Sequence, residues 1–323
     1  MRSRYVQLLR LVIQWGFVLF CLYLGVQFAL FVDAIRSGTL PTVARPNGVE
    51  AFLPIAGLLG LRDWFASGTL NPVHPAATVI FCAVVGVSFL LRRSFCSWIC
   101  PIGTFSEFLW KRGFALFRRN LKAPAWLDLP LRGLKYLLLL FFLWTIFGMP
   151  VMGVKAFVHS DYSKIADVRM LDFFRHLSPL AGGVIVFLVI LSLPVRNAFC
   201  RYLCPYGALL SLVGWFSPTA VTRMTSHCVR CGVCTQVCPS YIPVMSKERV
   251  NHPECIGCWR CVSHCRAEGA LEMMLPGRKI IVTGIVFAAL VVGIFWGTTI
   301  VARLTGHWQS GVMVTDYMRL LGR

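Results

Sequence analysis

The residues of this chain whose types and spacing could do chemistry are its cysteines, 14 in 323 positions. Eight fall in two runs, CVRCGVCTQVCP from Cys228 to Pro239 and CIGCWRCVSHC from Cys255 to Cys265, each reading C-x2-C-x2-C-x3-C. That spacing lets three thiolates of one tight loop and a fourth from elsewhere surround a cubane iron–sulfur cluster, and in the two-cluster arrangement the fourth cysteine of each run serves the other cluster. The expected ligand sets are Cys228, Cys231, Cys234 and Cys265 for one 4Fe-4S cluster, and Cys255, Cys258, Cys261 and Cys238 for the other. Gly232 and Gly257 stand where such loops must bend tightly. A zinc site would use four ligands in two separated pairs instead. Such loops usually carry proline after the fourth cysteine. The first run keeps it as Pro239, while the second has Arg266, which restores a backbone donor and a less stiff exit.

Four more cysteines form a repeat. RSFCSWICPIGTFS at residues 93–106 and NAFCRYLCPYGALL at 197–210 share the skeleton F-C-x3-C-P-x-G, 104 residues apart. On a final helical turn the two cysteines share a face, the proline disfavours continuing the helix through it, and the glycine permits a turn. Thr104 with Glu107 suits a capping box that restarts an amphipathic helix, TFSEFLWKRGFALFRR, lying along a membrane surface. Cys96, Cys100, Cys200 and Cys204 could converge into one four-thiolate site, and soft thiolates suit Fe–S, copper(I) or zinc. Two separate pairs, or unligated thiols packed at helix ends, are the alternatives that spacing leaves open. Cys21 and Cys82 sit singly inside apolar runs and receive no role. No histidine falls in the middle of an apolar run, which speaks against haem held between facing helices.

The elements that must position these groups are apolar. The chain is 57% hydrophobic and 14% charged, with a mean hydropathy of +0.70, far from an ordinary soluble domain. Apolar runs near the length needed to cross a bilayer occur at about 11–32, 75–91, 134–153, 179–194 and 280–302, so five spans are expected. The first is read as a retained helix, since no small-residue cleavage pattern follows it. AFLPIAGLLGL at 51–61 is too short to cross and is expected to lie on the surface or re-enter. With five spans, one set of segments nets +16 and the other +3, the basic set including Arg2, Arg4, Arg10, Arg92, Arg93, Lys111, Arg112 and Lys135. By the positive-inside rule the basic set is cytoplasmic, and with it lie 12 cysteines, in a compartment where thiols stay reduced. The net charge of +19 is thereby explained by topology and anionic lipid. Nucleic-acid binding is excluded, because no basic domain of soluble character exists.

A multispan domain with two C-x3-C-P motifs, followed by a two-cluster ferredoxin segment, resembles the NapH, NosR and CcoG group of membrane iron–sulfur proteins over about residues 75–275. The resemblance implies membrane-bound electron transfer, commonly with quinol as donor, toward a partner in respiratory or metalloenzyme-maturation pathways. NosR-like members add a large outer flavin-binding domain before the spans, and CcoG-like members an outer β-sandwich after them. NapH-like members, with the usual four spans, are nearest in size.

The expected fold is an all-α membrane bundle of five spans with a cytoplasmic ferredoxin-like α+β insertion. Its expected divisions are a bundle over 1–195, a cytoplasmic segment over 196–278, and a fifth span with an outer tail over 279–323. That tail, with Val312, Val314, Tyr317, Met318 and Leu321 sharing much of one helical face, is expected to be a docking segment. The chain offers no nucleophile and base, so its chemistry belongs to its cofactors. The expected function is electron passage between the quinone pool and a redox protein in the cytoplasmic membrane. Copper reduction or metalloenzyme maturation, and an assembly scaffold with structural clusters, are the other readings.

Overall fold

A computed structural model describes residues 2–275 and 280–321; the expected boundary at residues 278 and 279 lies outside them. The chain forms two compact units. The first holds residues 1–18, 85–139 and 185–294, and the second holds 19–84, 140–184 and 295–323.

Long apolar stretches fold as helices because, without water, the backbone must satisfy its own donors and acceptors. In chain order the helices are α1 (Arg2–Arg36), α2 (Pro54–Ser67), α3 (Pro75–Leu91), α4 (Phe95–Trp98), α5 (Pro101–Phe117), α6 (Ala125–Gly148), α7 (Val151–Val158) and α8 (Asp161–Lys164). They continue with α9 (Ala166–Arg175), α10 (Pro179–Leu191), α11 (Ala198–Tyr202), α12 (Pro205–Trp215), α13 (Val233–Gln236), α14 (Arg260–Ser263), α15 (Gly284–Leu304) and α16 (Val314–Leu321). Three of these, α1, α6 and α15, are long and apolar enough to cross a membrane, and a fourth crossing results if α9 and α10, bent by 79°, are one span. The short apolar helix α3 occupies the second expected run residue for residue. The third run is displaced: α6 begins nine positions before Leu134 and stops at Gly148, because Pro150 cannot continue it and instead caps α7. Large apolar side chains such as Trp144, Leu180 and Leu304 are largely exposed, a surface that water would penalise and lipid would not.

In the first unit a three-stranded antiparallel sheet, β1 (Ala220–Arg223), β2 (Leu271–Met274) and β3 (Ile281–Val282), carries the cysteine runs between its first two strands. Ala220 faces Met274 and Arg223 faces Leu271; Val221 and Met273 are buried, and Val221 lines a cavity with Ile242, Val244 and Val250.

The second unit corrects two expectations. Residues 51–61 are not one separate piece: Pro54 begins α2, a 14-residue helix that continues to Ser67 and is too short to cross a membrane. Gly57 and Gly60 let α2 lie directly on α3, where a Cβ would strike the Ala77 carbonyl and the Thr78 hydroxyl. The tail is no free docking segment either. Tyr317 of α16 is buried among Phe28, Phe31, Val32, Ile35 and Val168, and its hydroxyl donates to Asp167 at 3.0 Å.

Candidate functional site

Both C-x3-C-P motifs fold alike. Cys96 lies in the single turn α4 and Cys100 caps α5 with Pro101 behind it; Cys200 lies in α11 and Cys204 caps α12 with Pro205 behind it. The backbone N–H groups of Cys100 and Cys204 donate to the Phe95 and Phe199 carbonyls, each at 3.0 Å. Proline at the first helical position is pre-organised to start a helix and lacks only a donor that would be orphaned there. The helix therefore begins at Pro101, and no capping box restarts it at Thr104. The Thr104 hydroxyl donates to the Cys100 carbonyl at 3.1 Å, and Glu107 is taken by Arg10 at 2.6 Å. The glycine of the motif makes no turn. Gly103 and Gly207 lie inside their helices, and a Cβ on Gly103 would collide with the Cys96 carbonyl oxygen.

The four thiols of these motifs converge. Burial first, then the charge of Cys96, pushes the Cys100 thiol up to about 12. Burial, then Cys204, Cys100 and Cys96, pushes Cys200 well above the ordinary thiol value. Burial and Cys96 raise Cys204 as well. Half-buried thiols grouped in this way would crowd negative charge as thiolates, and a cationic core among them would offset that cost.

The ferredoxin cysteines gather in two cavities with the expected exchange of fourth members. Cys228, Cys231, Cys234 and Cys265 line one; Cys238, Cys255, Cys258 and Cys261 line the other. Gly232 and Gly257 take the left-handed conformation, φ +73° and +57°, at the tight bends. Backbone N–H groups of Arg230, of Ile242 and Ser240, and of Arg260 favour thiolates at Cys228, Cys238 and Cys258. Burial, then the charge of Cys258, nevertheless holds Cys238 up to about 12. The sets differ in access: the first has exposed Cys231 beside buried Cys234, while the second has Cys238 and Cys258 buried and no exposed member. Among the described residues no three His, Cys, Asp or Glu side chains stand close enough to hold one metal ion. The two C-x2-C-x2-C-x3-C runs, each contributing to both cavities, fit cubane clusters.

A third cavity joins the repeat to the ferredoxin loops, lined by Cys96 and Cys200, by Arg93 and Glu254, and by Pro239 and Ile256. Its walls are ion pairs. Arg93 reaches Glu254 at 3.2 Å and Lys135 reaches the other Glu254 oxygen at 2.5 Å. Arg201 grips Asp128 through two bonds of 2.9 and 2.8 Å. Arg10 and Arg260 both hold Glu107. Burial works to raise the Glu254 pKa, but Arg93 and Lys135 overcome it and hold the carboxyl below its ordinary value. The loop of the second run is tied to the first motif, as Trp98 Nε1 donates to the Gly257 carbonyl at 3.0 Å and the Ser97 hydroxyl to that of Ile256 at 2.5 Å.

These charged residues are what spacing did not reveal. By position Arg10, Arg92, Arg93 and Lys135 read as topological charges, yet they are 2%, 1%, 3% and 0% exposed. They still act at insertion, when the chain is not yet packed, but in the folded protein they pair with acids and carbonyls rather than with lipid. The one signal available was position, with Arg93 three residues before Cys96 and Glu254 directly before Cys255.

A family model described as a 4Fe-4S binding domain matches residues 73–124 and 177–223, each stretch holding one C-x3-C-P motif. A second, described as a 4Fe-4S dicluster domain, matches residues 220–266. The chain is 41% identical over 306 residues to YccM of Escherichia coli K12, whose name assigns it provisionally to electron transport, covering 93% of this chain and 86% of that protein. It is 26% identical to the ferredoxin-type protein NapH of the same organism, over 66% of this chain and 72% of NapH. Similarity to the regulatory protein NosR of Stutzerimonas stutzeri is 29% over 58% of this chain but only 25% of NosR. No solved structure matches. With three converging sets of four cysteines, apolar helices of membrane length and these relatives, the chain belongs to the family of membrane-associated 4Fe-4S polyferredoxin electron-transfer proteins.

Proposed function

We propose that this protein passes single electrons between the quinone pool and a redox partner in a respiratory pathway, through cluster sites gathered at the cytoplasmic face of the inner membrane. The observation that carries the reading is the grouping of twelve cysteines into three sets of four, all within the first unit. A bound 4Fe-4S group supplies one-electron chemistry with little rearrangement. The protein does the rest. Cys228, Cys231, Cys234 and Cys265 hold one group near solvent, where a partner can approach. Cys238, Cys255, Cys258 and Cys261 hold a second away from water. Cys96, Cys100, Cys200 and Cys204 hold a third between the two helix starts, and Arg93, Glu254 and Lys135 fix the charge among them.

Five spans fit this reading. The chain changes unit five times, and each change falls inside a helix: α1, α3, α6, α10 and α15. An odd number of changes leaves the amino-terminal end in the first unit with the cysteines and the carboxyl-terminal end in the second. The division into a bundle over 1–195, a cytoplasmic segment over 196–278 and a last span with an outer end follows from the same topology. Quinol is the lipid-soluble donor, and a redox protein is the acceptor.

The test is anaerobic reduction of the purified protein by a short-chain quinol, followed by EPR. Reduction at a rate useful for turnover is expected. Clusters that cycle with dithionite but never with quinol would refute the donor, and clusters that cannot be cycled at all would refute electron transfer itself.

A further inference from the structure

Arg93 touches both copies of the repeat and the residue beside the neighbouring cluster loop. Its Nε donates to Cys96 Sγ at 3.4 Å and its Nη2 to the Cys200 carbonyl at 3.3 Å. Its Nη1 donates to the Ser211 hydroxyl at 2.7 Å and to Glu254 Oε2 at 3.2 Å, and Glu254 directly precedes Cys255. The second copy has Asn197 at the matching position, so the repeat supplies one such cation rather than two. We propose that Arg93 is a positioning residue that sets the reduction potential of the group held by Cys96, Cys100, Cys200 and Cys204, with Glu254 as its counterweight.

A guanidinium cannot be deprotonated in a protein, so Arg93 places a permanent positive charge against a thiolate in a site with little water, where charges act strongly. Reduction adds one negative charge to the site. A neighbouring cation favours that state, and a hydrogen bond to a ligating sulfur acts in the same direction. Glu254 opposes it, but its other oxygen is neutralised by Lys135 at 2.5 Å, so Arg93 keeps the upper hand. Removal of the cation and removal of the carboxylate charge must therefore move the potential in opposite directions. A fault of packing would have no reason to do so.

The inference rests on the proposed cluster at the four thiolates, and one experiment separates the two claims. Full-length protein in detergent is titrated with dithionite in the presence of mediators and followed by EPR, for the wild type and for Arg93→Met, Arg93→Lys and Glu254→Gln. In Arg93→Met the potential of the third signal is expected to fall so that the reduced-to-oxidised ratio at a fixed potential drops about tenfold, ~59 mV for one electron. Arg93→Lys, which keeps the charge but loses the fork, should fall less, and Glu254→Gln should rise. The signal of the set that includes Cys228 should stay in place in all variants. If Arg93→Met does not fold, the opposed shifts of the other two decide. A third signal that does not move, or moves the same way in Arg93→Lys and Glu254→Gln, overturns the inference alone. A wild type with no third signal overturns the cluster at the four thiolates and the inference with it.

Discussion

His74 shows how much one buried side chain can commit a protein to a charge state. Its Nε2 faces the Ser163 carbonyl at 2.7 Å and its Nδ1 faces Glu50 Oε1 at 3.2 Å. Both neighbours accept, so the ring is best satisfied with both nitrogens protonated. The surrounding charges close the account: Arg45 bridges Glu50 at 2.9 Å and Asp167 at 2.7 Å, so a protonated ring gives two cations against two anions. Burial works to lower the His74 pKa, and the hydrogen bond and charge of Glu50, the Ser163 carbonyl and Asp167 raise it above the ordinary value of 6.5. The stabilisation is therefore complete below about pH 6.5 and is lost as pH rises through the higher value in the folded protein. Thermal unfolding followed across pH 5.5 to about 9 should show falling stability on the alkaline side, and His74→Phe should flatten that slope. Equal slopes in both proteins would exclude His74 as the source. In the same network, Tyr317→Phe removes one donor to Asp167 and should cost about 1 kcal/mol, read as a lower unfolding midpoint with cluster spectra unchanged.

At the scale of elements, the two motif glycines predict an asymmetry between copies of one repeat. A methyl at Gly103 would collide with backbone, the Cys96 carbonyl, whereas at Gly207 it meets the end of the Arg93 side chain at 3.3 Å and Cys204 Sγ at 3.4 Å. Gly103→Ala must therefore part α5 from the Cys96 turn, and the iron attributable to the four-thiolate site should be largely lost. Gly207→Ala should retain most of it, because a side chain can shift where a carbonyl cannot. Iron analysis of the two variants reads the difference, and equal losses would remove the basis for it.

The same helices show which parts were legible in the sequence. Ligand spacing is a local property, so the cavity partners of all eight ferredoxin cysteines, exchange included, could be written from the two runs alone. The apolar core of each long helix was equally legible, because burial in lipid needs only length and composition. Helix ends were not, as α6 shows: it starts directly after Pro124, whose carbonyl accepts its first hydrogen bonds, and runs on through Pro130, a residue that ordinarily breaks a helix, so an apolar run counted from Leu134 misses its first turns. The buried cations were hidden for a different reason. An arginine at a span end has the same sequence appearance whether it meets lipid phosphate or Glu254. Of the expected tail face, Val312, Tyr317, Met318 and Leu321 pack on the core of their own unit while Val314 is exposed, a partner that periodicity cannot name.

For the whole molecule, the reading makes demands that do not depend on any single contact. The ferredoxin segment alone should account for about eight iron and eight sulfide per chain, and a Cys228→Ala, Cys231→Ala double variant should lose about half of that. A protein purified anaerobically with zinc alone would contradict it. In intact cells stripped of clusters, Cys96 and Cys200 should resist thiol reagents applied from outside, while a reporter after Arg323 should be found there. A reporter found inside would break the five-span topology.

The unequal shelter of the two ferredoxin cavities has a consequence for how the protein ages. Dioxygen attacks a cluster where it can reach the sulfur, and Cys231 is exposed while Cys258 and Cys238 are not. Damage in air should start at the loop of the first run and spare the second, so that bleaching proceeds in two stages and an aged sample still carries a competent inner half. In a cell under oxidative stress, such a protein would lose its outlet before its store, and repair would need to rebuild only the rim.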